Sequence, residues 1–199
     1  MADLEKTGKN LEGRGFRVHR FASGAEAAEF LVQTLHGTSI GIGGSVTIDT
    51  LGVYDRICGS NEVFWHWKNH APETRERAGK AETYLCSANG VSENGEIVNI
   101  DGFGNRVAGT IYGPERVFLV VGRNKIAPDL TGAIDRARNI AAPLNARRLN
   151  RHTPCAVGEP RCRDCRSPEK VCGVMTVFFM PPTSIKEFHV ILVDEDLGY

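Results

Sequence analysis

The sequence predicts an α/β fold around a parallel sheet, and three observations predict it. Strand-like and helix-like stretches alternate from Phe16 onward, as they do in chains built from β-α-β units. RVFLVVG (Arg116 to Gly122) is a continuous apolar run, suited to a strand covered on both faces, so it should be central. The chain has 199 residues, 41% of them apolar, enough to fill the core of one domain over 1–199.

Each element has a local reason. FRVHRFA (Phe16 to Ala22) alternates like a strand. Ser23 and Glu26 then form a capping box, and Ala27, Leu31 and Leu35 repeat at helical spacing until Gly37. The apolar run Ser39 to Ile42 completes a β-α-β unit. A second helix is expected from Ser45 through Leu51, Tyr54 and Ile57, then a strand at EVFWHW (Glu62 to Trp67) and a charged helix from Pro72 to about Ala81. Thr83 to Gly109 reads as short strands and tight loops, with turns at Asn89-Gly90 and Asn94-Gly95. After the central strand, Asp129 caps a helix whose Leu130, Ile134, Ala137 and Ala141 share a face, with Pro143 as its expected end. Two strands close the chain, Val174 to Met180 and Phe188 to Glu195.

Composition excludes whole classes of function. Lys plus Arg (24) balance Asp plus Glu (24), so no global field draws the chain to nucleic acid or an anionic membrane. Nothing approaches the roughly 18 uninterrupted apolar residues of a membrane helix, and a cytoplasmic protein is expected. In that reducing compartment the six cysteines are better read as metal ligands where clustered and as core residues where isolated, as for Cys58 and Cys86.

The cysteines of 152–173 are the most committed chemistry. Cys155, Cys162, Cys165 and Cys172 read C-x6-C-x2-C-x6-C, and four thiolates suffice for Zn²⁺ or a [4Fe–4S] cluster. Structural zinc sites usually pair one C-x2-C with another, so this lone central pair favours iron–sulfur, with zinc as the alternative. The insertion has almost no core of its own, and a metal would supply order. From Arg136 to Lys170, eight arginines and one lysine face Glu159, Asp164 and Glu169. Nine cations against three anions leave +6, a local patch that suits a tetrathiolate or an anionic substrate.

Two further segments are candidate ligand sites. GIGGSVT (Gly41 to Thr47) joins a strand to a helix, placing Gly43, Gly44, Ser45 and Thr47 where backbone N–H groups and hydroxyls bind small anions. A tight turn with a Ser45 cap is the equal alternative. The polar middle offers Glu93 and Asp101 as catalytic carboxylates and Asn105 and Arg106 as ligand contacts, beside the alternative of hairpin turns at Asn94-Gly95 and Gly102 to Asn105. Asn124 and Lys125 follow the central strand at its carboxyl end, where open sheets bind ligands.

In their order, GIGGSVT, GEIVNIDGFGNRV, GPERVFLVVGRNKI, NIAAPLNARRL, the PC…C…DC…C segment and ILVDEDLG resemble the lactate-utilisation (LUD) domain family from about residue 10 onward. The resemblance implies a Rossmann-like open sheet, similar to the ribose-phosphate isomerase and CoA-transferase group, with ligand above the glycine turn. It also implies a part in bacterial oxidation of lactate to pyruvate with iron–sulfur subunits as partners. Better-known single-domain members generally lack the four-cysteine insertion, so this chain resembles a short cysteine-bearing branch. Ser92-Glu93-Asn94-Gly95 is further similar to the segment carrying the nucleophilic glutamate of CoA-transferases.

The expected function is therefore a metal-binding component, possessing a [4Fe–4S] cluster, of lactate or related organic-acid oxidation, an oxidoreductase component acting on a small anionic substrate. The alternatives are a CoA-transferase or isomerase-like enzyme with a structural zinc, and a non-catalytic redox or metal-sensing module. Homo-oligomerisation is left open.

Overall fold

The central apolar run does become a strand buried on both faces. In the computed structural model, which describes residues 3–199, β7 (Arg116–Gly122) lies between parallel neighbours on either side. The strands of its sheet are β1 (Arg17–Phe21), β2 (Ser39–Ile42), β3 (Glu62–Trp65), β4 (Thr83–Ser87), β7 and β10 (Glu187–Val193). They run in the order β1-β10-β7-β4-β2-β3, and every pairing is parallel.

Alternation along β7 assigns the two faces. Val117, Leu119 and Val121 join one core with Leu11, Ala78 and Phe188, while Phe118 and Val120 join another with Leu31, Ile48 and Trp65. The second core is roofed by α2 (Gly24–Thr34), α3 (Val46–Thr50) and α4 (Tyr54–Cys58). The first is covered by α1 (Leu4–Gly13), by α5 (Thr74–Lys80) and by a smaller mixed sheet. That sheet orders β8 (Ile126–Ala127), β5 (Gly90–Ser92), β6 (Ile97–Asp101) and β9 (Val174–Phe178). Ile97 of β6 faces the first core, and Val98 and Ile100 pack on the far side against α7 (Leu130–Arg136).

Four local expectations are corrected. α1 goes unseen in the sequence because the face it buries is Thr7, Gly8 and Leu11, too small and polar for an apolar stripe. The helix from Ser45 to Ile57 is two helices, because Gly52 adopts φ +63° between α3 and α4. Cys58 is exposed rather than core, whereas Cys86 is buried. Pro143 does not end its helix. After α7 comes a widened π turn, Ala137–Ala141, and then α8 (Ala142–Arg148) with Pro143 in its first turn. A wider turn relieves the clash of the proline ring with the preceding carbonyl and absorbs the missing N–H.

Gly102 to Asn105 also departs from the hairpin alternative, leading instead into α6 (Asn105–Gly109). Asn94-Gly95 is the turn between β5 and β6, with Gly95 at φ +91°. The insertion holds one short helix, α9 (Pro154–Val157), and is otherwise irregular up to β9. Among the described residues no helix is long and apolar enough to cross a membrane.

The tightest packing joins α5 to β2. A Cβ on Gly41 would sit 1.9 Å from the Ala78 carbonyl oxygen, a backbone atom that cannot step aside. Gly41→Ala should therefore cost about 1–3 kcal/mol or more, lowering Tm by about 2–4 °C for each kcal/mol in a chain of this size, measured by thermal unfolding.

Candidate functional site

The strands of the main sheet end on one open cleft of about 720 Å³. Gly44 to Thr47 enter it after β2, His66 and Trp67 after β3, Ser87 to Asn89 at the end of β4, and Lys125 after β7. This is the carboxyl edge at which open α/β sheets bind ligands. Arg75, Arg106, Lys125, Arg148, Arg151 and Lys170 line it against two side-chain carboxylates, Asp101 and Glu169. The chain as a whole is neutral, so this edge is locally richer in cationic side chains.

Lys125 forms the floor. A single 3₁₀ turn, Arg123–Lys125, drops its side chain beneath the strand ends, where it is 2% exposed. Its Nζ donates to Thr47 Oγ1 at 2.7 Å and Ser87 Oγ at 2.8 Å. Burial, with Arg136 and Arg106 nearby, holds Lys125 well below the ordinary lysine range.

Above it, neutral acceptors hold the arginines. Arg106 Nη2 donates to Asn89 Oδ1 at 2.7 Å and to the Ile100 carbonyl. Asn89 Oδ1 also accepts from Ile100 N–H at 2.9 Å. Arg136 donates through Nε to the Asn124 carbonyl at 2.7 Å and through Nη1 to the Asn89 carbonyl. Burial lowers Arg136 to about 10, leaving it a cation at neutral pH.

The other expected residues divide. Asp101 lines the cleft, and its Oδ2 accepts from Arg106 N–H at 3.0 Å and Val107 N–H at 3.2 Å, capping α6 where Gly104 supplies no side chain. Asn105 lines the cleft and accepts Tyr84 O–H at its carbonyl. Ser45 Oγ accepts from Ile48 N–H at 3.3 Å, so its hydroxyl caps α3. Gly43 and Gly44 serve close approach: a Cβ on Gly43 would meet Arg106 Cγ and Tyr84 Oη at 3.0 Å, and one on Gly44 would meet Trp67 Nε1 at 3.3 Å. Asn124 pins the chain's end, accepting from Leu197 N–H and donating to the Gly198 carbonyl. Glu93 is not in the cleft. It binds Lys6 Nζ at 3.0 Å and Asp3 N–H at 3.2 Å, fastening α1 to the small sheet.

His66, Trp67 and Arg148 are functional candidates that the sequence reading missed. His66 Nδ1 is buried without a partner, and burial followed by the Arg75 charge lowers its pKa. The Arg148 guanidinium lies 4.5 Å over the Trp67 ring. The carboxyl-edge rule that singles out Lys125 applies equally to the end of EVFWHW, so that signal was present.

The cysteines gather without forming a ligand shell. Among the described residues no three His, Cys, Asp or Glu side chains stand close enough to hold a metal ion. The expected ligands Cys155, Cys162, Cys165 and Cys172 are all free thiols of intermediate exposure. The donor chemistry nevertheless fits. Burial pushes the Cys172 thiol up, Lys170 pulls it down, and Cys162, Cys155 and Cys165 each lie near enough to raise it further. In the C-x2-C turn, Asp164 adopts φ +49° and its N–H donates to Cys162 Sγ at 3.4 Å, while Arg138 reaches the same sulfur at 3.7 Å.

The LUD domain family model matches residues 4–193. The chain belongs to the LUD domain family. No curated protein matches it. The crystal structure of a DUF162 family protein from Deinococcus radiodurans has a similar fold, with a TM-score of 0.56 and 15% identity over 96% of this chain and 95% of that one.

Within this LUD domain, the cleft and the insertion share a wall: Pro168, Glu169, Lys170 and Val171 line the cleft just before Cys172. The cleft's shape depends in turn on Asp101. Asp101→Ala would leave the Arg106 and Val107 N–H groups without their acceptor, costing about 0.5–2 kcal/mol and freeing Arg106 to turn from Asn89. Thermal unfolding should show the loss, and crystallography of the variant should show Arg106 displaced.

Proposed function

We propose that this LUD-domain chain is a metal-binding component, of the [4Fe–4S] type, in the oxidation of lactate or a related 2-hydroxy acid. The observation that carries the proposal is the shared wall, because the segment bearing the four thiols borders the strongly cationic cleft at the strand ends. Arg106, Arg75 and Arg148 are placed to bind the substrate carboxylate. His66 Nδ1, kept neutral by burial and lacking a partner, is the atom that can take the hydroxyl proton. Cys155, Cys162, Cys165 and Cys172 would hold the cluster, which when bound supplies one-electron transfer to partner iron–sulfur subunits. Zinc on the same thiolates would instead make the insertion a staple for the cleft wall. For the CoA-transferase or isomerase alternative, Glu93 stands outside the cleft and Asp101 is the carboxylate that lines it.

Metal analysis tests the centre. Protein purified without oxygen should be brown with iron and sulfide near four each per chain, and Cys162→Ser should lose most of both. Colourless protein holding zinc in equal amount would remove the redox role and leave the staple. Calorimetry tests the cleft: Arg106→Met should weaken lactate binding by about 1.5–3 kcal/mol, the worth of a hydrogen bond to a charged group, and unchanged affinity would exclude the site.

A further inference from the structure

Lys125 is more than an anion contact. The hydrogens around its nitrogen can be counted. The Thr47 hydroxyl donates to the Leu197 carbonyl at 3.2 Å, and the Ser87 hydroxyl donates to the Ala88 carbonyl at 3.3 Å. Each hydroxyl has one hydrogen, so with those bonds made both accept from Lys125 Nζ, at 2.7 and 2.8 Å. A neutral amine has two N–H bonds, both satisfied by these acceptors, and its lone pair is left over. An ammonium would add a third N–H and a buried charge beside Arg136 and Arg106, with hydroxyls rather than a carboxylate as its partners. The charged or titratable groups facing the nitrogen are Arg106, Arg136 and Cys86. The first two are cations, and burial pushes the Cys86 thiol up to about 12, so it supplies no negative charge at neutral pH. The site is built for a free amine at the floor of a cleft lined by cations.

We infer that Lys125 is a nucleophile that captures a 2-oxo acid as an imine. The pairing of an amine lone pair with surrounding guanidinium groups selects a ligand with an electrophilic carbonyl next to a carboxylate. The Nζ lone pair attacks the carbonyl carbon and forms a C–N bond, while the carbonyl π pair moves to oxygen. The two hydrogens of the amine leave with that oxygen as water, and the nitrogen pair closes the C=N bond. No electrons enter or leave, so no further reactant is required. The carboxylate offsets the charge of Arg106, and the imine nitrogen, which carries no hydrogen, accepts from the Thr47 and Ser87 hydroxyls once these turn from their backbone carbonyls. The choice of 2-oxo acid rests on the 2-hydroxy acid reading of the cleft, since oxidation of such an acid yields this product, whereas the free amine rests on the burial of Nζ between two hydroxyls and beside two guanidinium groups.

The full-length protein, purified without oxygen, is incubated with pyruvate and sodium cyanoborohydride at neutral pH, followed by intact mass and peptide mapping. The expected result is one reduced adduct per chain, located at Lys125, lost in Lys125→Met and not formed with lactate or acetate. Mapping in the unaltered chain keeps the test valid even where Lys125→Met fails to fold. Adducts scattered over surface lysines, or none, would overturn the inference. Calorimetry with pyruvate separates the two readings: binding without an adduct sinks the nucleophile and keeps the acid site, and an adduct at Lys125 with no lactate affinity sinks the 2-hydroxy acid reading and keeps the nucleophile.

Discussion

The reach of one guanidinium orders the site. Arg136, at the end of α7, donates to the carbonyls of Asn89 and Asn124, just beyond the ends of β4 and β7. These are the two places where the main sheet gives way to the cleft. Asn89, so fixed, presents its side-chain oxygen to Arg106 and to Ile100 N–H. Asn124 holds the end of the chain and directly precedes Lys125. Removing the guanidinium would free α7, both strand ends and the cleft floor at once. Charge-assisted bonds to buried carbonyls are strong enough for that role.

The arrangement leaves an electrostatic imbalance. Lys125, Arg106 and Arg136 are brought together with hydroxyls, an amide and backbone carbonyls as partners instead of carboxylates. Such dipoles satisfy hydrogen-bond geometry but cancel little net charge, and clustered buried cations are costly. Two responses lower the cost. One is loss of a proton, which falls to Lys125 because its pKa starts lower than that of a guanidinium and burial moves it further. The other is an anionic ligand, which would complete the cluster and stabilise the fold by mass action.

The large-scale fold was legible because it depends on repetition. RVFLVVG is apolar at every step and lies covered on both faces, and the capping residues Ser23 and Asp129 each accept a backbone N–H where expected. Errors fell where tertiary contacts override local signals. α1 is held by Glu93 and by Leu11 in the core, partners far along the chain, and no periodicity of residues 4–13 reveals them. Glu93 resembles a nucleophile in its four-residue context, yet the β5–β6 turn points it at α1. The carboxyl-edge rule found Lys125, but its partners Thr47 and Ser87 come from two other strands, a convergence that only the sheet order creates.

Pro143 explains why the insertion sits where it does. A helix that ended at this residue would release the chain before the cleft. With the preceding turn widened to π geometry the helix continues to Arg148, carrying Arg148 to the Trp67 ring and Arg147 to the carbonyls of Ala156 and Gly158 in the insertion. The widened turn itself presents Arg138 to Cys162 Sγ and Asn139 to Cys162 N–H, at 3.7 and 3.1 Å. Local π turns carry a cost that a functional contact can offset. Here one irregular turn positions the C-x2-C pair from one side and directs the following helix toward the cleft on the other. The turn that accommodates Pro143 is thereby tied to both the cleft and the insertion, which places the cysteine segment beside the cleft by construction of the helix rather than by chance of a long loop.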